Sequence, residues 1–137
     1  MRSLKILLIV LFSMFSFGTT AWSGEAEITT AIAGLANAKN FPEIEKIVKD
    51  LASMGDPMVN PALTALADGD LQIRKSDSAI FITQENGAGF LLLDPVTGKA
   101  AGVATKDELQ KIKVNNGLRR IIRDSLGNLT LQSSDAA

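Results

Sequence analysis

Two apolar runs, Ala79-Ile80-Phe81-Ile82-Thr83 and Phe90-Leu91-Leu92-Leu93, flank the segment Asn86-Gly87-Ala88-Gly89. Asn-Gly between apolar runs is the strongest short-range hairpin signal, because both residues tolerate the positive φ that a tight turn demands. The centre of the chain is therefore committed to antiparallel sheet. Leu71-Gln72-Ile73-Arg74 alternates apolar and polar residues, as a half-buried strand does, and Lys75 to Ser78 supplies the turn that follows it. The run 79–83 is apolar enough to be buried on both faces. Asp94 to Lys99 contains Pro95 and Gly98 and reads as another turn, and Ala100 to Ala104 as a weaker fourth strand. The sheet is expected over about residues 70–104.

Helical patterns precede this sheet. Ile28, Ala31, Ile32 and Leu35 recur at helical spacing over about 25–37. A second helix is expected from Pro42 to Met54, with Ile44, Ile47, Val48 and Leu51 on one stripe, Phe41 as a hydrophobic staple and Gly55 as its end. Asp56-Pro57 provides an N-cap and first-turn proline for a third helix that Gly69 closes. Pro61 should leave it with a kink or a short first segment. Two antiparallel helices followed by a Gly-Asp-Pro start resemble a HEAT-like repeat. One such hairpin needs a neighbour to cover its face, and the plainer reading is that these helices cover the sheet.

Helix also returns after the sheet. Thr105-Lys106-Asp107-Glu108 is a capping box, and Leu109 and Ile112 would share one helical face. Leu118, Ile121, Ile122 and Leu126 fall on a nearly opposite face, so a break is expected at Asn115 to Gly117, with Asn115 or Asn116 capping a second helix. Gly127-Asn128 is expected to end that helix, Leu129-Thr130-Leu131 to pack back, and Ser133 to Asp135 to suit the cap of another. The fold class is therefore α+β: HEAT-like helical hairpins flanking a small antiparallel β-meander.

Residues 1–23 read as a secretory signal peptide. Arg2 and Lys5 precede an apolar run from Ile6 to Phe17, Gly18 breaks it, and Ala21 and Ser23 place small residues for cleavage between Ser23 and Gly24. The alternative is a retained anchor, for which the run is short of the ~20 residues a spanning helix needs. Removal of these 23 of 137 residues leaves 114, which suits a single exported domain over 24–137. Lys+Arg falls from 14 to 12 while all 15 acidic residues stay, a net charge of −3 that argues against nucleic acid as a partner.

The chain has no cysteine and no histidine. A domain exported without disulfides must be held by packing. Cysteine–histidine zinc sites and histidine-based triads are excluded with them. The glycines of Asn86 to Gly89 lack the Lys-Ser/Thr of a phosphate loop, and Asp94 and Asp107 lack the alternating oxygen ligands of a calcium loop. No catalytic, cofactor or metal residue is assigned, and the protein is not expected to be an enzyme.

The most distinctive run is Lys111 to Asp124, KIKVNNGLRRIIRD, which holds five of the 14 basic residues. It forms an amphipathic stretch with a basic flank. Arg119, Arg120 and Arg123, with Asn115 and Asn116, are the candidate partner-contact residues. Such a flank reads as solvated surface, as a contact for an acidic partner or anionic lipid surface, or, last, as a nucleic-acid contact.

From about Ala62 onward, the segments LADGDLQIRKSDSAIFI (66–82), DPVTGKAAGVATKDELQKIKVNNGLRRIIRD (94–124) and LTLQSSD (129–135) resemble the N-terminal extracytoplasmic region of urea ABC transporter permeases. These are the UrtB-type members of the branched-chain amino acid permease group. The run from Asp94 to Arg123 is the most specific part. Gly117 departs from the larger basic residue that similar proteins carry there. The family continues into further helices and a membrane domain, so the resemblance implies a truncated or split subunit without the transmembrane pathway. It implies import of urea or a small amide, membrane permease subunits and a periplasmic urea-binding protein as partners, and a periplasmic location, free or held at the inner membrane. The alternative is a stand-alone periplasmic interaction module or adaptor.

Overall fold

The computed structural model describes the backbone of residues 23–135 and the side chains of residues 24–131. The expected signal segment lies outside the described residues except for Ser23, which opens the first helix.

Helix α1 (Ser23–Ala33) runs into a 3-10 turn, Gly34–Asn37, and α2 spans Phe41–Ser53. Phe41 does not precede the helix as the expected staple. Instead Asn40 is the N-cap, its side chain accepting from the Glu43 amide at 2.9 Å. An amide oxygen at that position satisfies an orphan N–H, so the helix starts one residue earlier and Phe41 becomes its first residue, 40% exposed. Asp56 caps the 3-10 turn Pro57–Val59, which leads into α3 (Asn60–Asp68). Pro61 sits in the first turn of α3, so the short first segment expected there is present. The end of α3 follows the Schellman pattern: Gly69 is left-handed (φ 82°), its amide reaches Leu66 O, and the Asp70 amide reaches Ala65 O.

The sheet has five antiparallel strands, β1 (Leu71–Arg74), β2 (Ile80–Asn86), β3 (Gly89–Leu93), β4 (Ala100–Ala104) and β5 (Leu109–Lys111), in the order β4-β3-β2-β1-β5. The β2–β3 register pairs Asn86 with Gly89, so Gly87 and Ala88, not Asn86 and Gly87, form the two-residue loop. Gly87 has φ 64°, and Ser78 is the only described non-glycine with positive φ. That is the pattern of a turn with glycine in its first central place, which matches strand twist without an asparagine at the second.

β5 corrects the expected helix over 105–114. The capping box is present, with Glu108 Oε2 accepting from the Thr105 amide at 2.8 Å, yet it encloses only the 3-10 turn Lys106–Glu108. Leu109 and Ile112 then lie on opposite sides of the chain. Leu109 packs with Leu92 and Ala104, and Ile112 joins the main core. Pairing with β1 satisfies a row of backbone groups that a helix would have left open.

This connection bends the sheet. Laid flat, five strands put β4 and β5 roughly 19 Å apart. The segment 105–108, most of it in a 3-10 turn, bridges only roughly 13 Å. The sheet must curl, bringing its two edges toward each other. Inside the curl lie Leu92, Ala104 and Leu109, with Phe81 and Phe90 against them. Gln72 and Thr83 are buried polar residues of this face and are satisfied: Gln72 Nε2 donates to Thr83 Oγ1 (2.9 Å), which donates to Asp70 O (2.8 Å).

The other face carries Leu71, Ile73, Ile80 and Ile82 against the helices. Ile28, Ile32, Val48, Leu51, Leu63 and Leu66 complete the main core there. With Ile80 buried and Phe81 and Ile82 largely so, β2 faces apolar surroundings on both sides, as its composition suggested.

The last helix, α4, runs from Asn116 to Asp135. The expected end at Gly127-Asn128 is absent. Leu118, Ile122 and Leu129 are all buried on one stripe, and burying Leu129 in register with the others outweighs the modest helix cost of Gly127. The backbone of Ser133 to Asp135 continues this helix.

Candidate docking surface

The break expected at Asn115 to Gly117 is where α4 begins. Asn115 is the cap: its Oδ1 accepts from the Leu118 amide at 2.7 Å, and its carbonyl accepts from the Arg119 amide at 3.0 Å. Asn116 Oδ1 accepts from Arg119 Nη1 at 3.4 Å. Both asparagines are exposed, and both act on the helix start.

Arg119 is half-buried, and its Nε donates to Ala67 O at 3.2 Å. The Schellman contacts consume the Ala65 and Leu66 carbonyls at the end of α3 and leave that of Ala67 over. Arg119 takes it, bringing positive charge to a helix C-terminus. It is a clamp between α4 and α3. Arg120 and Arg123 lie on the exposed side of α4, and neither takes part in an ion pair among the described residues. Of the five candidate residues, Arg120 and Arg123 are therefore the two whose charges face solvent uncommitted. Arg119 fixes the orientation of the helix that carries them. Gly24, beside the expected cleavage point, lies in the first turn of α1 near Asp56: a Cβ built there would be 3.9 Å from Asp56 Oδ2.

A second basic feature is not visible as a run in the sequence. A groove of about 660 Å³ opens between the start of α2 and the β1–β5 edge. Leu35, Ile44, Ile73 and Ile112 form its apolar floor, and Phe41 stands at its mouth. Lys39, Lys75, Lys111 and Lys113 line it, and no carboxylate does. These lysines come from three separate parts of the chain. Only the alternation Lys111-Ile112-Lys113 hinted that this segment is an edge with one side inward.

Arg74 and Asp77 make the tightest ion pair, two hydrogen bonds at 3.0 and 2.6 Å beneath the β1–β2 turn. The Arg74 guanidinium, and after it the Ala79 amide, holds the Asp77 carboxyl down to about 2. Arg74 also lies 4.8 Å from the Phe81 ring centre. This cluster stiffens a turn and presents no reactive arrangement. No group of acidic residues among the described residues is placed to hold a metal ion. Comparison of the chain with protein-family models, curated proteins and solved structures finds no match.

Proposed function

We propose that this chain is an accessory extracytoplasmic docking domain of a urea or small-amide ABC importer, working beside membrane permease subunits. The observation that carries the reading is the division of labour in the basic flank. Arg119 is spent on holding α4 to α3, while Arg120 and Arg123 project from a helix thus fixed in orientation. A partner of acidic surface, on this reading the periplasmic urea-binding protein, meets charges that do not have to be ordered first, which lowers the cost of association. On this reading the α1–α2 pair is a single HEAT-like hairpin, with α4 packed against α2 and α3 in place of a further repeat. No described helix is long and apolar enough to cross a membrane, so the solute path is assigned to the permease subunits and not to these helices.

The test is a pull-down of the urea-binding protein by the full chain and by the Arg120→Glu/Arg123→Glu variant. Arg119 is left intact, because its loss would disturb the end of α3. Capture by the parent and loss in the variant supports the proposal. Equal capture by both sinks it. Binding of the flank to vesicles of anionic lipid, with none to the binding protein, would replace the protein partner with a membrane surface.

A second reading is a stand-alone periplasmic interaction module. The lysine-lined groove favours it, since it lies apart from the arginine flank. Failure to bind any importer component, with retained binding at the groove, would move this reading forward.

A further inference from the structure

We propose that the groove beside β5 binds an extended acidic segment of a partner protein, which adds to the sheet as a sixth strand. This is a different surface from the arginine flank. It shares only the premise that the chain docks other proteins, and it does not depend on the importer assignment.

Three features converge on that occupant. β5 is the last strand of the sheet, so no described strand pairs with its outer side. An open strand edge supplies a row of backbone donors and acceptors, and extended peptides are recognised by adding to such edges. The edge also borders a cavity with an apolar floor, Leu35, Ile44, Ile73 and Ile112, where alternate side chains of an added strand can settle. The charge is one-sided as well: four lysines and no carboxylate line the groove, in a chain whose formal net charge is −1. Such a local excess selects an acidic partner.

Lysines at a strand edge also guard against self-association. That role accounts for Lys111 and Lys113. It does not account for Lys39, which follows the 3-10 turn Gly34–Asn37, or Lys75, in the β1–β2 turn, both aimed at the same space. The dipole of α2 is not the source of the preference, because Glu43 already occupies its N-terminus, accepting from the Lys39 amide at 2.8 Å. The opposite edge, β4, lacks these features. Its pairing with β3 shifts register at Leu92/Leu93, and Gly102 takes φ 116°, an irregularity of the kind that turns an edge away from partners.

The test uses the full chain and a fluorescent peptide of alternating glutamate and valine, about six residues long to match a short strand. Anisotropy should show saturable binding that weakens with salt. Lys111→Glu/Lys113→Glu should weaken it about tenfold, and Arg120→Glu/Arg123→Glu should leave it unchanged. The same peptide with alternate amides N-methylated should fail to bind, because it cannot complete the strand ladder. Absence of saturable binding overturns the proposal, as does equal binding of the N-methylated peptide, which would mean that charge alone holds it. Amide shift changes centred on 100–104 instead of 109–113 would place the peptide on the wrong edge and overturn it as well.

Discussion

Gly127→Ala should stabilise this protein, and the sign of that effect decides between two descriptions of the C-terminal region. Gly127 lies inside α4, eleven residues past its first, with a φ that is not in the left-handed region. A Cβ built on it meets nothing within 4 Å. The substitution therefore adds no clash and removes the backbone freedom that glycine forfeits on folding. That is worth about 0.5–1 kcal/mol in an exposed helix interior. For a domain of this size the gain corresponds to a rise in Tm of about 3–6 °C. Circular dichroism at 222 nm on heating measures it, and a urea titration should show a higher midpoint at unchanged slope. Had Gly127-Asn128 ended the helix, the glycine would hold a left-handed conformation and alanine would destabilise by about 1 kcal/mol. A fall in Tm would refute the continuous helix, and with it the reason Leu129 is buried.

Other substitutions probe the remaining joints. Gly89→Ala should have the opposite sign to Gly127→Ala, because its Cβ would lie 2.8 Å from the Ala104 carbonyl oxygen across the β3–β4 ladder. A loss of about 1–3 kcal/mol is expected in urea denaturation. Arg119→Ala should cost about 1 kcal/mol by leaving the Ala67 carbonyl short of a donor, whereas Arg120→Ala should change stability by less than about 0.5 kcal/mol. Asp77 should titrate at about 2 in the folded protein by carboxyl-carbon NMR. Since its folded value lies below the ordinary carboxylate value, its contribution is complete above about pH 4 and disappears as the pH falls through about 2. Asp77 titrating near the ordinary value would mean that the Arg74 pair does not persist in solution.

The meander was legible because its signals are local. Alternation at Leu71 to Arg74 gave that strand its bounds, and Gly98 and the Gly87 turn punctuated the rest. The stretch 105–114 was misread because a capping box is a true statement about one turn and is silent on the next. Leu109 and Ile112, three apart, suit one face of a helix, and equally suit two faces of a strand when an apolar cluster waits on each side. Only the curled sheet, with Leu92 and Ala104 on one side and the main core on the other, provides that. At Gly127 the local stop signal competed with a longer stripe through Leu118, Ile122 and Leu129, and the stripe won because it buries more. The arginines were visible as a run, but the commitment of Arg119 was not. Its partner carbonyl is 52 residues away. Apart from the alternation Lys111-Ile112-Lys113, the lysine groove was hidden for the same reason, being assembled from distant segments.

On the proposed function, Arg120 and Arg123 form a docking surface on a helix clamped by Arg119. An NMR titration of the isotope-labelled full chain with unlabelled periplasmic urea-binding protein tests it most directly. Saturable shift changes should concentrate on the exposed side of α4 around Arg120 and Arg123, and Arg120→Glu/Arg123→Glu should abolish them. A spectrum unmoved by excess binding protein, or shifts that persist in the variant, would contradict it.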